Sequence, residues 1–311
     1  MTQGTLTRGR LEEHPVWRRA LASEDLLARL VQPLIVSDAV EDRERVDDAG
    51  GLERVSITEA VRDARAAAHA GIAGLLLFGA SGRKDENALL ASQRDHVVAR
   101  AVRAIKDAVP DLAVATDVCV CAYTTHGQCV LFSGGAADIA GTLERLAEIA
   151  RVHADAGSDL ILPSGMLDGT VAALRAALAG EHEAVPVAAL AKVESALYAT
   201  LRVALGAVPI DERAVPLLDP ADGAAAHARV RRDVAAGADA VVVKPALLAL
   251  DLVASLSRLG GVPVIAYHTA DEHALFRAES DADGAAAERE LLRASRRAGA
   301  EIVVSYGALT A

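Results

Sequence analysis

All three cysteines of the 311-residue chain fall within eleven positions, in Asp117-Val-Cys-Val-Cys-Ala-Tyr-Thr-Thr-His-Gly-Gln-Cys129. Asp117, Cys119 and Cys121 alternate, so on an extended backbone they share one side of the chain. Cys129 returns across a short loop that carries His126 and Gly127. Three thiolates at a strand end make most of a tetrahedral zinc site and leave one position for water or substrate. His126 is a further candidate, as a metal ligand or to order a water. The C-x-C-x7-C spacing is not that of a familiar structural finger, so the residues alone also allow three reduced thiols packed as small hydrophobes.

Lysine is the second signal. The chain has four lysines against 28 arginines, and Lys192 and Lys244 each close an apolar run. A lysine pressed against an apolar wall beside another cation loses stability in its ammonium form and becomes an amine nucleophile, suited to forming a Schiff base with a ketone. Arg202 and Arg213 follow Lys192 and together fit a bidentate grip on a carboxylate, although single surface arginines more often serve solvent or ion pairs.

The elements that must hold these groups repeat one theme, a short apolar run followed by an Ala-rich amphipathic stretch. The runs lie at 30–36, 72–79, 112–120, 159–164, 185–192, 238–244, 262–268 and 300–306, and the intervening helical stretches at 58–69, 86–109, 139–156, 171–179, 194–205, 221–236, 249–259 and 284–298. The phrase x-Ala-Gly-x introduces four of the runs, with Gly71, Gly157, Gly237 and Gly299 suited to the left-handed residue that ends a helix. Eight strand–helix units without a composition break predict an α/β (β/α)8 TIM barrel over 30–311. An open doubly wound sheet is disfavoured, because no glycine-rich turn follows the first run. Chemistry on such a barrel sits at the carboxyl ends of the strands. There the chain offers Asp117 with the cysteines, Ser164 with Asp168 beyond it, Lys192, Lys244, Tyr267-His268 and Ser305-Tyr306.

Residues 1–29 are polar and Arg-rich and read as an N-terminal arm, whose Trp17 packs against either a neighbouring subunit or its own domain. Hydrophobic residues make up 52% of the chain and aromatics 3%, so the core is built of Ala, Val, Leu and Ile. A net charge of −11 without a basic block argues against nucleic acid and anionic membrane surfaces as partners. No run reaches the length of a membrane span and no secretory leader is evident, so the expected location is cytoplasmic, with reduced cysteines.

Taken together, these motifs resemble the porphobilinogen synthase (5-aminolevulinate dehydratase) family from about His14 to Tyr306. The cysteine segment carries the resemblance most specifically. It is joined by Pro163-Ser164-Gly-Met-Leu-Asp168-Gly, Ala191-Lys192 with Tyr198 and Arg202, Val243-Lys244-Pro245 and Ser305-Tyr306. The resemblance implies a (β/α)8 barrel whose arm builds a homo-octamer, and condensation of two 5-aminolevulinate molecules into porphobilinogen with loss of two waters. It implies that Lys244 forms the Schiff base with the first substrate and Lys192 with the second, and that Cys119, Cys121 and Cys129 hold Zn2+; it leaves open an additional Mg2+. By the same resemblance Arg202 and Arg213 take the second substrate's carboxylate and Tyr306 the first's. Tyr198 and Tyr267 would line the site, and Asp117 and Ser164 would place protons and water.

The chain also departs from the family pattern. Ser-Asp-Met-Met-Asp-Gly-Arg becomes Ser164-Gly165-Met166-Leu167-Asp168-Gly169-Thr170, and Tyr-Gly-Pro-Phe-Arg becomes Tyr198-Ala199-Thr200-Leu201-Arg202. A carboxylate-binding serine is replaced by Ala270, with Thr269 beside it as a possible hydroxyl donor, and Val215-Pro216 stand where Tyr-Gln is usual. Retained metal ligands and amines with altered walls fit a divergent porphobilinogen synthase. They also fit a relative using the same chemistry on a different amino-ketone or keto acid in specialised metabolism.

Overall fold

The computed structural model describes residues 9–46, 51–277 and 281–310. Eight parallel strands form the barrel wall: β1 (Leu30–Ser37), β2 (Gly74–Ala80), β3 (Ala113–Val118), β4 (Leu160–Pro163), β5 (Ala188–Lys192), β6 (Ala240–Lys244), β7 (Val264–Tyr267) and β8 (Ile302–Val304). They are ordered β4-β3-β2-β1-β8-β7-β6-β5. The ring closes between β4 and β5 through the bridge Ile161↔Val187, where Ile161 N donates to Pro186 O at 3.0 Å. Each strand falls within a run expected from the sequence, give or take a residue. β2, β5 and β6 are buried along their whole length, because helices cover one face and the barrel interior the other. The four x-Ala-Gly-x glycines have φ between 77° and 106°, the left-handed conformation their position demands.

Helices alternate with the strands, and two begin later than the pattern suggests. The stretch 86–109 is helical only over Val97–Ala108, after a short 3-10 turn at Leu89–Ser92. The Asp85 carboxylate accepts from Asn87 N and Leu89 N and holds the preceding segment in a loop. The stretch 194–205 is helical only over Ala199–Leu205. Residues 193–194 instead pair with the incoming chain, Glu194 N donating to Leu218 O at 2.8 Å and Leu218 N to Lys192 O at 3.0 Å. A helix not anticipated, Ala270–Arg277, follows β7 directly.

Helices Arg10–Glu13 and Pro15–Ala22 pack beneath the amino ends of the strands. Trp17 is 1% exposed, and its Nε1 donates to Asp159 O at 2.8 Å. Of the two placements open to the tryptophan, the structure shows the one against its own barrel. Arg10 and Arg175 both reach the buried Asp239, at 3.3 and 3.4 Å, tying arm to wall.

Candidate active site at the carboxyl ends of the strands

Lys192 and Lys244 are the last residues of β5 and β6 and are register partners, so parallel pairing aims both side chains to the same side. They are 8% and 7% exposed. The Tyr198 ring lies against both ammonium groups, 4.8 Å from Lys192 Nζ and 5.7 Å from Lys244 Nζ, and the Tyr267 ring centroid is 3.8 Å from Lys244 Nζ. Burial, followed by the Lys192 charge, pushes Lys244 down to about 7, against the opposing pull of Asp117 and Glu272. An amine with that property is available as a nucleophile near neutral pH. The Tyr198 hydroxyl is committed to backbone, with Val193 O at 2.7 Å and Lys244 O at 2.8 Å, so this residue meets the site through its ring face. The Lys244-Pro245 peptide is cis.

The cysteines come together, though not by the route of simple alternation. β3 ends at Val118 and the chain turns through the 3-10 segment Cys121–Tyr123, so Cys119 and Cys121 do not lie with Asp117 on one extended run. The turn nevertheless brings Cys119 Sγ and Cys121 Sγ to 3.3 Å, and all three sulfurs lie within 4.8 Å of one another. Tetrahedral zinc with Zn–S near 2.3 Å sets its sulfurs about 3.8 Å apart, so the donor set fits such an ion. Hydrogen bonds from Cys119 and Cys121 hold the Cys129 thiol well below its ordinary range, helped by Lys192 and Arg202. The Cys121 thiol is pushed well up by Cys119, Cys129 and burial. No other group of three or more candidate ligands occurs among the described residues.

The return loop is tied to the segment after the Arg202 helix. Gly127 has φ 66°, and a Cβ there would stand 2.5 Å from Val208 O. Gln128, 4% exposed, donates through Nε2 to Asp211 O (3.3 Å) and Glu212 O (2.8 Å) and accepts at Oε1 from Ala214 N (3.2 Å). His126 stands outside the sulfur cluster: its Nδ1 accepts from Gln128 N at 3.1 Å and its ring meets Phe132 edge-on.

A narrow cavity of about 50 Å³ is lined by both lysines, Asp117, Cys121, Cys129, Ser164, Tyr198 and Arg202, with Thr269, Ala270 and Asp271 at one wall. A second, of about 20 Å³, shares Cys129, Ser164, Lys192 and Arg202 and adds Arg213. Arg202 makes no ion pair among the described residues, whereas Arg213 Nη2 lies 3.5 Å from Glu194 Oε1. Burial and then the Arg202 charge depress Arg213, against the pull of the Glu194 carboxylate. Asp117 is raised to about 6 by burial, against the Ser164 hydrogen bond and the Lys244 charge, and its Oδ1 has no hydrogen-bond partner.

Tyr267 and Tyr306 do not line this cavity. Their hydroxyls lie 3.3 Å apart, and Tyr306 instead borders a larger space of about 730 Å³ beside β1 and helix Ala270–Arg277. Tyr306 therefore reaches the Lys244 side through Tyr267. Glu272, fully buried, was not singled out from sequence: its Oε1 accepts from Leu247 N at 2.6 Å and its Oε2 from Thr269 N. It thereby ties the segment after Lys244 to the end of β7. Thr269 Oγ1 in turn accepts from Glu272 N at 3.1 Å, and the Thr269 side chain also hydrogen-bonds the Glu272 carboxylate.

Residues 6–311 match the family described as Delta-aminolevulinic acid dehydratase. The Delta-aminolevulinic acid dehydratase of Methanothermobacter thermautotrophicus is 36% identical over 305 residues, covering 96% of this chain and 93% of its own. That of Escherichia coli is 34% identical over 306 residues, covering 96% and 94%. A solved structure of the Toxoplasma gondii enzyme, in complex with the reaction product porphobilinogen, superposes with a TM-score of 0.87 at 27% identity, covering all of this chain and 90% of that one. The chain thus belongs to the delta-aminolevulinic acid dehydratase family, on a (β/α)8 barrel that carries two lysines and three cysteines at one mouth.

Proposed function

We propose that this chain condenses two molecules of 5-aminolevulinate into porphobilinogen with release of two waters. The observation that carries the reading is the in-register pair Lys192 and Lys244 in one cavity with Cys121, Cys129 and Arg202. Lys244, held near neutral pKa, attacks the ketone of the first substrate, and loss of water from the carbinolamine gives the Schiff base. Lys192 does the same for the second substrate. The Tyr198 and Tyr267 rings accept the iminium charge that replaces each ammonium. Arg202 and Arg213 bind the second substrate's carboxylate, and Tyr306, through the Tyr267 contact, serves the first's.

Asp117 and Ser164 line the cavity with the amines and move protons there; a carboxyl with a pKa near 6 serves as acid or base at neutral pH. Cys119, Cys121 and Cys129 hold Zn2+, favoured over harder ions by three sulfur donors, and the bound ion supplies Lewis acidity toward the second substrate. The reading includes a cytoplasmic homo-oligomer joined through residues 1–29, an octamer by family resemblance. Sedimentation velocity reads its size directly. No helix among the described residues is long and apolar enough to cross a membrane.

The decisive experiment incubates the zinc-loaded protein with 5-aminolevulinate, quantifies the pyrrole, and in parallel reduces the mixture with borohydride for peptide mass spectrometry. Porphobilinogen with adducts at Lys244 and Lys192 is the expected result. Adducts without pyrrole would transfer the site to a different amino-ketone or keto acid. A protein that yields neither has no Schiff-base activity of this kind.

A further inference from the structure

The helix that carries Arg202 has only seven residues, Ala199–Leu205, too few to persist without support from outside. It is gripped at both ends by side chains from distant parts of the chain. At its amino end the Asp271 carboxylate accepts from Thr200 N at 3.2 Å and from Thr200 Oγ1 at 2.8 Å, satisfying a first-turn donor that has no intrahelical partner. At its carboxyl end Arg54 Nε donates to Ala204 O at 2.8 Å, and Lys84 Nζ donates to Gly206 O. An anion at the amino end and two cations at the carboxyl end complement the helix dipole. The family pattern Tyr-Gly-Pro-Phe-Arg places at position 200 a proline, which has neither an N–H nor a hydroxyl and whose ring presets a first-turn conformation. This chain has a threonine there and an aspartate positioned to receive both of its donors.

We infer that Asp271 and Thr200 form a positioning anchor that sets the reach of Arg202 toward substrate, with Arg54 and Lys84 as its counterpart at the other end. This rests on the reading of Arg202 as a carboxylate-binding residue. Side-chain and backbone hydrogen bonds here replace the conformational restriction that a proline ring supplies, and leave the guanidinium in the cavity with Lys192 and Cys129. Neither anchor residue need touch substrate for affinity to depend on it.

The test is steady-state kinetics of the zinc-loaded full chain with 5-aminolevulinate. Asp271→Ala is expected to raise KM about fivefold to twentyfold while kcat stays within about threefold, because a displaced carboxylate contact is a binding loss. Thr200→Pro, with no donors to satisfy, is expected to stay within about twofold of wild type, and the Asp271→Ala/Thr200→Pro double variant to recover KM to within about threefold. Thr200→Val, which loses only the hydroxyl, is expected to raise KM by about twofold to fivefold and gives a reading if the aspartate variant does not fold. Unchanged KM in Asp271→Ala or Thr200→Val, or a double variant as impaired as Asp271→Ala, overturns the anchor while porphobilinogen formation by wild type upholds the activity. A wild-type chain that forms no porphobilinogen removes the basis of both.

Discussion

The two halves of the barrel mouth are built by different means. The lysine half stands on the sheet: Lys192 and Lys244 are fixed by the β5–β6 ladder, and Tyr267 by the end of β7. The cysteine half stands on a 3-10 turn and a loop, kept in place by Gln128, by the close approach at Gly127 and by the Asp85↔Thr124 bridge. Sheet register gives the amines the burial and mutual proximity that tune a pKa. A loop gives sulfur donors the freedom to close around an ion and to move with the segment docked on them. On the proposed function, errors in the first half are expected to abolish chemistry, whereas errors in the second are expected to grade from loss of metal to weaker substrate binding.

The largest effect expected is at Lys244. Lys244→Ala and Lys244→Arg each remove the nucleophilic amine, and turnover falls on the order of a thousandfold or more. Pyrrole formation above a tenth of wild type in either variant would show that the sheet half does not carry the chemistry. Next is Cys129, the sulfur most inclined to ionise. Cys129→Ser is expected to weaken metal retention about a hundredfold, read as zinc stoichiometry after dialysis, and to lower activity with it. The borohydride adduct at Lys244 should survive in this variant, because the amine's environment is set by β6 and its neighbours. Loss of the adduct together with the metal would merge the two halves into one functional unit.

The depressed Lys244 predicts a pH dependence with a definite sign. Folded Lys244 titrates near 7 and the unfolded lysine near 10.5, so the unfolded chain binds the extra proton between those values. The stability cost of burying this amine is full below pH 7 and fades as pH rises toward about 10.5. Lys244→Met should accordingly raise Tm at pH 6 and progressively less toward pH 10, by calorimetry on the zinc-loaded protein. In wild type, kcat/KM should climb with pH and level off above about 7 as the free amine appears. A Tm gain that grows with pH instead would mean that Lys244 is held as an ammonium by Asp117 and Glu272.

The same division decides what the sequence discloses. Strands buried on both faces write continuous apolar runs, and each lysine at the end of such a run announces its own position, so the barrel and the amine pair were legible. The turn at Cys121 was not: alternation describes extended backbone, and nothing local signals that β3 stops at Val118. Residues 86–96 and 194–198 carry helical periodicity that loses to Asp85's hydrogen bonds and to pairing with Leu218. Gln128 and Asp271 have no sequence signature because their partners lie 84 and 71 residues away, whereas Glu272 closes the local capping box Thr269-Ala-Asp-Glu272 and only its contact to Leu247, 25 residues away, is unreadable. A polar residue that braces a site through such contacts leaves no local pattern.

The smallest effect belongs to Gln128, which holds the segment after the Arg202 helix with three hydrogen bonds. Gln128→Ala strands two carbonyls and one N–H that water can reach once the segment lifts, so the cost is well below that of three sealed unsatisfied groups, about 1–2 kcal/mol. The segment also keeps a second tie to the loop, Ile210 N to His126 O at 3.2 Å. Faster amide exchange at Ala214 and a KM raised about threefold to tenfold, with zinc content and the Lys244 adduct unchanged, are the expected results. Zinc lost in this variant would mean that the docked segment sustains the sulfur cluster itself, and the loop half would then be as cooperative as the sheet half.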